Sequence, residues 1–122
     1  MTLKELYTMI GGDYDQALRV LRMEKLLDKH IRKLSKNGVI DHLLEAGKIM
    51  DPATVFEAAH AMKGVCANLG LTQLSNLASD IAEEFRPGNS RTLTDEEVAR
   101  KLALIEDLKK KTMEGISQYE AE

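Results

Sequence analysis

Apolar side chains in this chain recur at spacings of three and four almost from end to end. β-branched residues nowhere alternate with polar ones long enough to outline a strand. Only two prolines occur, and Pro52 and Pro87 each stand where a helical stretch should begin or end. That rhythm predicts an all-α fold. Residues 3–10 place Leu3, Leu6, Tyr7 and Ile10 on one face, and Gly11-Gly12 stops them. Asp13 is placed to cap a segment over 14–35 that carries Ala17, Leu18, Leu21, Leu26, Leu27, Ile31 and Leu34. The stripe shifts phase near Arg22–Glu24, which predicts a kink or a break into two helices. Asn37-Gly38 is a turn signal. A short helix over 39–46 follows, with Ile40, Leu43 and Leu44 inward and Gly47 as its natural stop.

Asp51-Pro52 reads as an N-cap followed by proline at the first helical position. The helix it opens extends to Leu69, where Gly70 fits a left-handed end. Residues 72–85 carry Leu74, Leu77, Ala78, Ile81 and Phe85 inward, and Arg86 to Ser90 form a loop. Thr94 and Glu97 make a capping box, flanked by Leu93 and Val98 at the staple positions. The stripe then runs through Leu102, Ile105, Leu108 and Ile116 to about Tyr119. Short connections imply antiparallel neighbours. The expected architecture is an up-down antiparallel four-helix bundle, with additional N-terminal helices covering one end.

With 122 residues, one domain over 1–122 is expected. Aromatic residues are only 4% and Trp is absent, so the core must be aliphatic, which suits packed helices. A net charge of −3 argues against nucleic acid as the main partner. The basic run Lys109-Lys110-Lys111 falls near a helix end, where cations suit the dipole, and reads as a solvated face. A single cysteine, Cys66, excludes an internal disulfide and a multi-cysteine zinc site. It lies on an apolar stripe and reads as a small core residue. His30, His42 and His60 show no ligand spacing, so neither metal nor cofactor is expected; His30 and His42 read as boundary residues. The opening MTLKELYTMI is amphipathic and charged, unlike a secretory signal. No apolar run approaches about 18 residues, so no membrane span is expected and the cytoplasm is the expected compartment.

The stretch from Ala58 to Gly70 departs from a plain helix. It carries a histidine, then a lysine three residues on, then a mid-helix glycine that costs about 1 kcal/mol relative to alanine. Val55, Ala59, Met62, Cys66 and Leu69 form the core stripe. His60 lines up instead with Glu57, Lys63, Gly64 and Ala67, so it belongs on the flank or outer face. Neutral imidazole is a nucleophile near pH 7, its ordinary pKa being about 6.5. Phosphate on the ring would find a mobile cation in Lys63, and Gly64 would clear a path for another protein's active site. Phosphoryl transfer asks the acceptor for little beyond in-line access. Read separately, the three residues are a surface histidine, a solvated lysine and a close helix contact.

The pattern His60-x-x-Lys63-Gly64, then Gly70 and Leu74, resembles the motif of the histidine phosphotransfer (HPt) domain. Ala58-Ala59, Cys66-Ala67, Asn68-Leu69-Gly70-Leu71 and the Gly11-Gly12-Asp13 opening extend the likeness to free-standing bacterial members across nearly the whole chain. The resemblance implies a phosphorelay intermediate rather than an enzyme with turnover. His60 would be the phosphoacceptor through Nε2, Lys63 the electrostatic helper, and Gly64 the clearance residue. The partners implied are receiver domains of response regulators and a sensor or hybrid histidine kinase, met by a monomer. Any metal would belong to the receiver. Some members set a polar side chain against the other ring nitrogen; the matching position here is Ala82, which cannot hydrogen-bond, leaving Ser79 and Glu83 as candidates. Glu57, one turn before the histidine, is a further possible contact. The family's docking side points to Leu18, Leu21 and Met23, near Ala67. A helical adaptor that binds signalling partners without being phosphorylated is the competing function. A kinase's own phosphoacceptor module is a third, disfavoured because no kinase or receiver sequence is attached.

Overall fold

Helix α7, Asp95–Glu120, is the longest element, 26 residues or about 39 Å. It is the wall against which the rest of the chain packs. The computed structural model describes all 122 residues. Six further helices precede it: α1 (Leu3–Ile10), α2 (Tyr14–Leu21), α3 (Glu24–Asn37), α4 (Val39–Ile49), α5 (Pro52–Asn68) and α6 (Thr72–Phe85). Their starts follow the capping chemistry read from the sequence. Asp13 accepts from the Gln16 N–H, Asp51 from the Thr54 N–H, and Thr94 with Glu97 closes the expected capping box. Thr2 and Glu5 close a second box at the start of α1.

α4, α5, α6 and α7 form a ring of four in which each packs on the next and α7 returns to α4. Side-chain pairs give the directions. Ser75 on α6 reaches Lys63 on α5, Asp80 on α6 pairs with Lys101 on α7, and Asp41 and Gly47 on α4 meet Lys109 and Leu102 on α7. Between α4 and α7 partner numbers fall as residue numbers rise, and the short connections turn α5 back along α4, α6 back along α5 and α7 back along α6, so neighbours are antiparallel and the bundle is up-down. The expected core residues Val55, Ala59, Met62, Cys66, Ile81, Val98, Ile105 and Ile116 are all buried. Leu44, Leu77 and Leu108, expected inward, are only partly covered.

The segment over 14–35 does break. Arg22 adopts a left-handed conformation, φ 68°, which separates α2 from α3. Only α1 and α2 cover an end of the bundle. The Tyr7 hydroxyl donates to the Leu69 carbonyl at 2.7 Å, and the Asp13 N–H donates to the Gly70 carbonyl at 2.8 Å. α3 instead continues the line of α4 along α7: Tyr119 donates to Asp28, and the Arg32 guanidinium lies 4.6 Å above the Tyr119 ring. α3 and α4 therefore act as one long strut, interrupted at Gly38, φ 74°.

Gly47 does not stop α4. The helix runs on to Ile49 and ends at Met50, φ 62°. A Cβ at Gly47 would sit 2.5 Å from a methyl of Leu102, so the missing side chain is a slot for α7. Gly70 does end its helix as expected, with φ 67°, and a Cβ there would also run into the Asp13 carbonyl oxygen. His30 and His42 are exposed rather than at the boundary.

Candidate functional site

α5 is built as a platform. Asp51 accepts from the Thr54 N–H at 3.1 Å and from its hydroxyl at 2.7 Å, and Pro52 sets the first turn. Val55, Ala58, Ala59, Met62 and Cys66 are buried. α5 and α6 are the most intimately packed pair of helices, and alanines at 58, 59, 78 and 82 are buried along them. A helix buried along one side this way holds its other side still. On that other side stand His60, Gly64 and Ala67, all exposed, with Lys63 partly covered at the flank facing α6.

The imidazole of His60 lies nearly parallel to the ring of Phe56, one turn earlier, with centroids 5.7 Å apart and planes 21° from parallel. The Arg86 guanidinium, at the end of α6, is 5.2 Å from the centroid of the same Phe56 ring. Arg86 is itself held by Glu83, at 2.7 Å from Nη2 and 3.2 Å from Nε. The Glu83 carboxyl is kept below its ordinary range, first by the Arg86 hydrogen bond and charge, then by the nearby charges of Lys63 and His60. Lys63 has no ion-pair partner of its own. Neither ring nitrogen of His60 is hydrogen-bonded within the chain. A Cβ placed on Gly64 would meet nothing within 4 Å, so the space beside the ring on that side is open.

Of the two candidates for orienting the ring, Ser79 is partly buried on α6 and makes no hydrogen bond to His60. Glu83 comes close enough to be felt electrostatically but spends its hydrogen bonds on Arg86. Ala82 is buried. Glu57 is exposed and pairs with nothing. Sequence reasoning does not single out Phe56, and it places Arg86 only in a loop. Phe56 was findable, since it stands four residues before His60 and shares its face. Arg86 was not, because it reaches Phe56 from another helix.

Leu18 and Leu21 are half-buried, while Met23 is 54% exposed and has exposed Val20 and Leu26 as neighbours. Leu21 opens onto a groove between α3 and α5 that Lys33, Val65 and Asn68 also line. Leu21 therefore stands beside the C-terminal half of the helix that carries His60. Burial pushes the Cys66 thiol up to about 12, so it stays protonated and unreactive. No three His, Cys, Asp or Glu side chains converge anywhere in the fold, and no helix is long and apolar enough to cross a membrane.

The arrangement offers an exposed nucleophilic ring, an unpaired ammonium one turn on, and open space on the approach side, all on a braced helix. A family model described as Hpt domain matches residues 19–111, which includes α3 to α6 and most of α7. No curated protein and no solved structure matches the chain.

Proposed function

The chain belongs to the Hpt domain family, whose members carry phosphoryl groups on histidine in phosphorelays, and from that premise we propose that His60 is its phosphoacceptor. The observation that carries this reading is the exposed His60 ring with unobstructed space above Gly64. A receiver domain presents an aspartyl phosphate. The Nε2 lone pair of neutral His60 attacks phosphorus in line, the bond from phosphorus to the aspartyl oxygen breaks, and the aspartate leaves as carboxylate. The ring is cationic until the proton on Nδ1 passes to water. Reversal of these steps on a second receiver completes the relay. Any divalent metal is bound by the receiver.

Lys63 stabilises the charge gathered on the phosphoryl oxygens. Its freedom from ion pairs supports that role, because a lysine already paired to a carboxylate would bring little net charge. Gly64 supplies the clearance and Ala67 extends it by a further turn. Leu18, Leu21 and Met23 form part of the surface on which the receiver rests. The whole of residues 1–122 acts as one domain, a cytoplasmic monomeric carrier that serves receiver domains and a sensor or hybrid kinase. It is not a kinase itself.

The test is to incubate the chain with a phosphorylated receiver domain and follow acid-labile, base-stable phosphate. Wild type should be labelled and His60→Gln should not. A folded wild type that no receiver in a panel labels would leave the adaptor reading in its place.

A further inference from the structure

His60 is held in an unusual way for a reacting imidazole: by its face rather than by an edge. Neither nitrogen has a partner, and the nearby α6 carboxylate, Glu83, spends its hydrogen bonds on Arg86. What touches the ring is Phe56, in an offset stack at 5.7 Å and 21°. That geometry lies in the range where aromatic pairs attract beyond simple burial. Phe56 is in turn fixed. Its ring has the Arg86 guanidinium 5.2 Å from its centroid, within cation–π range, and Arg86 is tied down by contacts to both oxygens of Glu83. The chain of contacts runs from α6, through Arg86 and Phe56, to the imidazole on α5.

We propose that Phe56 is the positioning residue for His60, a stacking rest, locked by Arg86, that orients the imidazole while leaving both of its nitrogens free. This rests on the reading of His60 as phosphoacceptor. The chemistry favours such a device. A hydrogen bond to one nitrogen fixes the ring but also fixes the tautomer and hinders loss of that proton once phosphorus is bound. A face contact restricts rotation about the side-chain bonds without engaging either lone pair. An exposed histidine otherwise spreads over several rotamers, and only those aimed at the incoming phosphorus react.

The test compares wild type, Phe56→Leu and Phe56→Tyr as full chains, with thermal melting to confirm folding. Two readouts are taken. One is the ring-current shift that Phe56 imposes on the His60 ring protons in NMR spectra. The other is the rate of His60 phosphorylation by phosphoramidate, a small donor that needs no docking, and by a phosphorylated receiver. Phe56→Leu is expected to abolish the ring-current shift and to slow both donors between about threefold and tenfold. Phe56→Tyr is expected to restore shift and rate, which a purely structural role for the phenylalanine would not require. Arg86→Gln leaves α5 untouched and serves as a second variant if Phe56→Leu melts; it is expected to weaken the shift and slow both donors less. Unchanged phosphoramidate rates in Phe56→Leu, or slowing with the receiver alone, overturn the proposal, the latter by making Phe56 a docking residue. A wild type that neither donor phosphorylates defeats the reading of His60 instead, while the ring-current shift still decides whether the stack exists.

Discussion

Glu83 and Glu84 are consecutive on α6, and their carboxylates face different parts of the molecule. Glu83 is exposed and pairs with Arg86 in the neighbourhood of His60 and Lys63. Glu84 is buried and turns to the loop before α7, where it accepts from the N–H groups of Thr92 and Leu93 and from the Thr92 hydroxyl. Arg91 stands 4.0 Å away and stacks on Phe85. A 100° turn of helix separates a carboxylate that pairs on the surface from one that closes a loop. Backbone N–H groups cannot move off to solvent as an arginine can, so the buried contact belongs to stability, while the exposed one lies beside His60 and Lys63. The two regions should respond separately to mutation.

The largest effect is expected at the site. His60→Gln should lose all histidine-linked phosphate while its melting temperature stays at the wild-type value; a shift in melting would mean that the exposed ring is part of the fold after all. Next is Glu84→Ala, which strands two backbone donors and should lower the melting temperature by several degrees with phosphorylation by phosphoramidate unchanged at 25 °C. A drop in that rate would show that the loop and the site are coupled.

The same residue has a pH signature. The Leu93 N–H, followed by the donors of Thr92, holds the folded Glu84 carboxyl below its ordinary range. Its contribution is therefore present above the unfolded value, about 4.3, and is lost as pH falls through the lower folded value. Glu5, Asp51 and Glu97 are lowered in the same direction by their caps, so acid melting of wild type sums several groups. Glu84→Ala should melt with a shallower dependence on pH below about 4 than wild type, as followed by circular dichroism.

Lys63→Ala should slow phosphorylation about fivefold, the scale expected of a solvent-accessible charge, and should leave melting unchanged. The smallest effect belongs to Glu83→Gln. It removes a negative charge near the incoming phosphoryl group but also loosens Arg86, and these oppose each other. The rate should stay within about twofold of wild type and the melting temperature should not move. A large melting change in Glu83→Gln would erase the contrast with Glu84.

Much of this was legible in the chain itself. The caps at Asp13, Asp51 and Thr94 and the left-handed end at Gly70 follow from local chemistry, and each appears as expected. The outward placement of His60 follows from the same helical arithmetic that buries Val55, Ala59 and Met62. Glu84 was not legible. It follows a second glutamate, Glu83, that stays exposed, and its main partners are backbone N–H groups that carry no residue identity. The stacking of Phe56 under His60 could be guessed from the spacing of four, but the Arg86 above it depends on how α6 is registered against α5.

Helix starts, the faces that helices bury and the side that carries the histidine follow from local chain chemistry, because each is settled within one or two turns. Packing between distant helices is what lays α3 along α7 instead of over the end of the bundle, makes Gly47 a slot for Leu102 instead of a stop, and sets Arg86 against Phe56. Each of these depends on contacts between residues many turns apart, and the register that brings them together is set by packing of the whole core, which no local pattern encodes.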